Sequence, residues 1–244
     1  MTKGPSLQFL GGVGTVTGSR FLVRTDGARV LVDAGLFQGG RELRERNWNA
    51  LPFDPATLDA VVITHSHVDH CGYLPRLVDD GFRGPVHVTP TTAELMAIVL
   101  PDCGHLQEEE ANYANRSGIS RHEPALPLYT EDDARAALAH LRPIPFGDDV
   151  EIASGVTLRM SRSGHILGAA TVSLGVGDRR VVFSGDLGRA SHPLFVDPDP
   201  VPDADVLLVE STYGDRRHDD AGALDRLATT ISSTVERGGS VLIP

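Results

Sequence analysis

The segment THSHVDH, residues 64–70, limits what this chain can fold into more than any other. It closes the apolar run LDAVVI, which reads as a short strand delivering its last residues to a loop. That loop carries His65, His67, Asp69 and His70. At the tip of a strand-to-helix connection, this spacing lets four nitrogen and oxygen ligands converge on one or two metal ions. Imidazoles suit zinc, and a carboxylate favours a second cation or a shared water. The plain alternative is a solvated polar loop. Ligand-type residues packed this densely behind an apolar strand favour the metal site.

Around this segment, strand-like and helix-like stretches alternate in blocks. LQFLGG runs into a glycine-rich turn, SRFLVRT alternates, and ARVLVDAG follows the Asp26-Gly27 turn, giving two hairpin-like units in the first 35 residues. GGRELRERNWNALPF is polar and reads as helical. PVHVTP reads as a strand and TTAELMAIVLPDCG as a helix with Thr92 near its N-cap. HLQEEEANYANRSGIS continues polar and helix-rich, and TEDDARAALAHL predicts a helix beginning at Thr130. A second β-rich half follows: VEIASGVTLRMSRSGH, then ATVSLGVGDRRVVFSGDLG turning at Gly177-Asp178, then ADVLLVESTYG as one more buried strand. ALDRLATTISSTVERGG reads as a helix ending at Gly238-Gly239, and SVLIP as the start of a strand. These blocks suggest an α/β (α+β) chain in which two sheets pack face to face with helices outside.

Composition narrows the classes. A net charge of −11 over 244 residues works against a simple nucleic-acid binder, although bound cations and a few arginines could still shape a groove. No apolar run is long enough to cross a bilayer, and MTKGPSLQFLGG lacks the apolar core of a secretory signal. Cys71 and Cys103 form no CxxC pair and cannot build a disulfide framework, which suits a reducing cytoplasm.

HSHVDH resembles the HxHxDH signature of the metallo-β-lactamase superfamily, and three further motifs fall in that family's order. Asp33 in LVDAG is similar to its first motif, His165 in SGHILGAA to its third and Asp186 in FSGDLGR to its fourth. A lone histidine or strand-end aspartate is ordinarily structural; four motifs in sequence are not. HVDHCGYLP, DCGHLQEEEANYAN and above all ESTYGDRRH resemble the β-CASP branch, the RNA- and DNA-processing nucleases that include cleavage-and-polyadenylation endonuclease subunits.

The resemblance implies an αββα sandwich of two mixed sheets flanked by helices. The metallo-β-lactamase domain would occupy residues 1–209, and a β-CASP region would begin within 210–244. It implies two Zn2+ ions, with Mn2+ as the alternative. His65, His67 and His165 would hold one; Asp69, His70 and Asp186 would hold the other, with Asp186 bridging and Asp33 supporting the ligands from behind. A hydroxide activated by the two metals would cleave RNA, or another single-stranded nucleic acid, at phosphorus. Asp69, Asp186 and Glu210 would be the catalytic carboxylates, Glu210 orienting a ligand or shuttling a proton. Members of the branch continue further and supply another histidine ligand, so a chain ending in SVLIP is expected to be incomplete. An unpaired SVLIP edge would then favour homo-oligomers.

Two other readings remain: a hydrolase of small esters, thioesters or lactones on the same fold, and a metal-binding homologue without turnover. Cys71 is expected to be a small buried side chain under the ligand loop. His87, His105, His122, His140 and His192 are expected to be surface or structural, and His218 to belong to the TYGDRRH loop. Arg116, Arg121, Arg189, Arg216 and Arg217 are candidate phosphate contacts. Glu108-Glu109-Glu110 reads as a solvated helix face, with the resemblance hinting that one of them caps the site.

Overall fold

The computed structural model describes residues 4–216 and 222–243. Alternating apolar residues and turn signals near the N-terminus produce β1 (Ser6–Gly11), β2 (Arg20–Arg24) and β3 (Arg29–Val32), an antiparallel meander. A short α1 (Arg41–Glu45) follows, then β4 (Ala60–Val62), α2 (Val68–Cys71), α3 (Leu74–Asp79) and β5 (Val86–Val88). Next come α4 (Pro90–Ser117), α5 (Glu131–Ala137) and β6 (Leu141–Pro143). Strands β3 to β6 run parallel, so the first sheet has the order β1-β2-β3-β4-β5-β6 and is mixed. Residues of β4 and β5 are all buried, as parallel strands covered on both faces require.

The second sheet contains β7 (Asp149–Ala153), β8 (Val156–Arg162), β9 (Ala170–Val176), β10 (Arg179–Phe183) and β11 (Val206–Leu208), in the order β11-β10-β9-β8-β7. Only the β10–β11 pair is parallel. Along β8 the side chains alternate, Val156, Leu158 and Met160 inward and Thr157 and Arg159 outward. Those inward residues meet Val30, Val32, Ala60 and Val62 of the first sheet in one core. The opposite face of the first sheet packs Leu31, Val61, Val86 and Val88 against Leu74, Leu77, Met96, Leu100 and Ala134 of α3, α4 and α5. Each buried Val, Leu or Met among them contributes about 1.5–3 kcal/mol. The expected two mixed sheets with helices are therefore present.

Three local expectations need correction. The cap of α4 is Thr89, not Thr92: the Thr89 hydroxyl accepts from the Thr92 amide and Pro90 takes the first helical position. As expected, the helix passes through Pro101, and it continues to Ser117 as one element, because Leu100, Pro101, Gly104 and Ala111 are buried and tertiary packing outweighs the lost backbone bond. Strand β11 is not buried; Val206 and Leu207 are about half exposed at the edge of the second sheet. SVLIP forms no strand over its described residues, since no described strand pairs with it, and Leu242 and Ile243 are exposed.

The chain divides into two compact units, Met1–Glu210 and Ser211–Pro244. The second holds α6 (Ala223–Glu236) and, in its first turn-rich segment, Arg216 beside Asp215 and over the Tyr213 ring. Among the described residues no helix is long and apolar enough to cross a membrane.

Candidate metal centre

Parallel strands β3 and β4 end side by side, and their carboxyl ends begin the site. Asp33 follows β3 in a left-handed conformation, φ 59°, which aspartate tolerates better than most residues. This turn places its carboxylate under the loop that leaves β4. The Thr64 amide donates to Oδ1 at 2.8 Å; Ser19 Oγ and Thr64 Oγ1 donate to Oδ2 at 3.0 and 3.1 Å. His70 Nδ1 lies 2.7 Å from the same Oδ2, so its Nε2 points away toward the cleft. His65 is held in the same way, with Nδ1 3.0 Å from Thr64 Oγ1 and Nε2 free to face inward.

The second sheet supplies the other wall. His165 sits in the loop between β8 and β9, and Asp186 follows β10. The Ala170 amide donates to Thr64 O at 2.9 Å, joining the two loops. His65 Nε2 and His67 Nδ1 are 3.0 Å apart, and His165 Nε2 and His67 Nδ1 3.2 Å. Asp186 Oδ2 lies 3.6 Å from His65 Nε2 and 3.4 Å from His165 Nε2. One ligand atom from each of these four residues falls within 4.8 Å of all the others. Tetrahedral zinc with bonds of about 2.0–2.1 Å needs ligand atoms about 3.3 Å apart, close to these four separations of 3.0–3.6 Å. Beside it, His70 Nε2 lies 3.1 Å from Asp186 Oδ1 and 3.9 Å from Asp69 Oδ2.

The electrostatics suit a cation. Burial, with the neighbouring His70, pushes His65 well below its ordinary pKa, and burial also lowers His165. Burial opposes the charged form of Asp186, but the hydrogen bond from His70 and the surrounding imidazoles prevail and hold its carboxyl well below the usual carboxylate range. For His70, burial is outweighed by Asp33 and Asp186, and the pKa rises to about 10. Without a metal, then, a proton on His70 balances the carboxylates; with one, that proton must leave.

Residues 13–224 match the metallo-beta-lactamase superfamily as a family. This chain belongs to that superfamily. It is 39% identical over 230 residues to a Thermus thermophilus protein named ribonuclease TTHA0252, covering 94% of this chain and 49% of that one. It is 33% identical over 249 residues to transcription termination factor FttA of Methanocaldococcus jannaschii, covering 98% of this chain and 36% of the relative. The chain thus spans about half the length of the first relative and less of the second. A Cronobacter sakazakii metallo-β-lactamase with a HARLDQ motif, carrying the S60 mutation, superposes with a TM-score of 0.48 at 21% identity, covering 79% of this chain and 66% of its own.

Within this superfamily domain, His65, His67, His165 and Asp186 converge, His70 lies against both Asp186 and Asp33, and Asp69 is near His70. Glu210, just past β11, holds the Asp186 loop: its Oε1 accepts from the Leu187 amide at 3.1 Å, and its own amide donates to Ser184 Oγ at 3.0 Å. Cys71 is buried beneath the loop, donating to Ser66 O at 3.3 Å. The acidic run does not cap the metal centre. Glu108 instead accepts from the Glu131 amide at 2.9 Å, serving the start of α5, while Glu109 and Glu110 are exposed. Of the remaining histidines, His105 and His122 are exposed, His192 is half-buried and stacks on Phe195, and His140 bonds Gly84 O. His87 is buried between the sheets with both ring nitrogens unpartnered, and burial lowers its pKa. Arg116, Arg121, Arg189 and Arg216 are exposed, while Arg217 and His218 lie outside the described residues.

Sequence reading missed the residues that hold the ligand loops. Ser19 and Thr64 complete the Asp33 network. On the other wall, Thr89 and Thr92, both fully buried, donate to Gly168 O at 2.7 and 2.9 Å and so tie the His165 loop to the first turn of α4. Gly168 (φ 79°) has no room for a side chain, since a Cβ would lie 2.6 Å from the Thr92 amide. The Thr-Pro pair at 89–90 was the one local signal for this anchor.

Proposed function

We propose that the chain is the metal-binding hydrolytic part of a zinc-dependent ribonuclease of the β-CASP branch. The convergence of His65, His67, His165 and Asp186 within 4.8 Å carries the hydrolase reading. The ribonuclease and the termination factor, each matched along nearly the whole of this chain, support RNA as the substrate. ESTYG at 210–214 supports the branch.

His65, His67, His165 and Asp186 would hold the first zinc, and Asp69, His70 and Asp186 a second. Zinc bound there supplies Lewis acidity, polarising a phosphoryl oxygen and making water acidic near neutral pH. The chain's own groups do the rest. Asp33 keeps the His70 Nδ1 proton and so leaves Nε2 as a donor atom. Asp186 presents one oxygen to each donor set, which fixes their separation. Glu210 orients Asp186 by fixing the backbone at Leu187.

Labelled single-stranded RNA, incubated with the purified chain before and after chelation and with a His67→Ala control, tests this reading. Cleavage that chelation abolishes, zinc restores and the substitution removes is the expected result. Metal binding without turnover is the alternative reading. Zinc retained without cleavage would select it.

A further inference from the structure

Arg20 is 3% exposed, yet among the described residues its hydrogen bonds go to uncharged acceptors and no carboxylate pairs with it. Its guanidinium lies 3.7 Å from the centre of the Tyr73 ring, and burial lowers its pKa to about 10. An uncompensated buried cation is costly, so its contacts should explain its presence. Nε donates to Gly35 O at 2.8 Å and an Nη donates to Asn47 Oδ1 at 3.2 Å. Asn47 in turn brackets the same segment: its Oδ1 accepts from the Phe37 amide at 2.9 Å and its Nδ2 donates to Phe37 O at 2.8 Å. Arg20 and Asn47 therefore clamp residues 35–37.

That segment is the bed on which the ligand loop lies. The Ala34 amide donates to His70 O at 2.8 Å, the Leu36 amide to Val68 O at 3.0 Å, and the Tyr73 amide to Ala34 O at 2.7 Å. The Gly35 amide donates to Ser19 O, and the Ser19 amide to Asp69 O. A Cβ at Gly35 would stand 1.6 Å from Asp69 O, so the two backbones touch with nothing between them. Any shift of residue 35 must move Asp69 and His70.

We infer that Arg20 is a positioning residue for the metal centre, fixing Asp69 and His70 through the Gly35 carbonyl. This rests on reading residues 64–70 as a metal-ligand loop. The planar fork matters more than the charge, because lysine cannot donate to both acceptors while stacking on Tyr73.

The test uses the full chain as wild type, Arg20→Met and Arg20→Lys, with Co2+ as a spectroscopic substitute for zinc. Two readouts are taken beside the melting temperature: Co2+ affinity with its visible spectrum, and the NMR resonance of the His70 Nδ1 proton in the metal-free chain. Both variants should lose roughly 10–100-fold in Co2+ affinity, the range for an outer-shell partner, and should shift or broaden the His70 proton. If the methionine variant does not fold, the lysine variant carries the test. Variants with lowered melting temperature but wild-type Co2+ affinity and an unmoved His70 proton would overturn the inference. Wild-type chain that binds no Co2+ would overturn the metal-site reading instead, and the His70 proton would then decide the role of Arg20 alone.

Discussion

The two walls of the metal centre are built differently. On the first sheet, Asp33, His65 and His70 are almost wholly buried, and each has a fixed partner beneath it. On the second, His165 and Asp186 are only half-buried and stand on loops held from the side, by the Thr89–Thr92 pair and by Glu210. A buried, hydrogen-bonded ligand contributes to the fold as well as to the site. A half-exposed one contributes to the site alone. The comparison therefore predicts that metal affinity and fold stability are coupled on one wall and separable on the other.

The largest effect comes from removing a ligand from each wall. His65→Ala and His165→Ala should both lower zinc affinity by more than the roughly 10–100-fold that an outer-shell partner costs. Only His65→Ala should also destabilise the metal-free chain, by about 1–3 kcal/mol, because it opens a gap in a packed region. Calorimetric zinc titration paired with denaturant melts of the metal-free proteins reads both. Equal losses of metal-free stability would break the comparison. Next in size is Asp33→Asn, which keeps a residue that tolerates the left-handed backbone but removes the charge facing His70. Zinc affinity should fall roughly 10–100-fold, with about 1–3 kcal/mol of stability lost.

What could be read beforehand follows from how local each feature is. His65, His67, Asp69 and His70 stand within six positions of one another, so their grouping as candidate ligands is legible at once. The Thr130–Asp133 capping box was equally local, and both of its reciprocal bonds are present. The Asp33–His70 contact spans 37 positions, and without the family resemblance Asp33 would have passed for an ordinary strand-end aspartate. Thr89 and Thr92 meet Gly168 across 79 and 76 positions, a distance no periodicity reports. The exposure of β11 was hidden for a related reason: an apolar strand reads as buried in sequence, whether or not its sheet continues beyond it.

Thr92→Val sharpens the second-wall side of the comparison. It preserves shape and leaves Thr89 donating to Gly168 O, so one of two anchors is lost. About 1 kcal/mol of stability should go, with a loss of zinc affinity below that of Asp33→Asn. An affinity loss as large as that of Asp33→Asn would mean the second wall is as tightly built as the first.

The smallest change isolates Glu210. Glu210→Gln retains an oxygen able to accept from the Leu187 amide, whereas Glu210→Ala removes it. On the proposed reading, if Glu210 acts by fixing the backbone beside Asp186, the glutamine variant should match the wild-type chain in zinc affinity and RNA cleavage, and only the alanine variant should fall in both. If Glu210 carries a proton during turnover, glutamine should bind zinc normally and still lose cleavage, because an amide cannot take up or release a proton near neutral pH. Zinc affinity and cleavage rate measured on the same two variants therefore separate a group that holds the second wall in place from one that takes part in the chemistry.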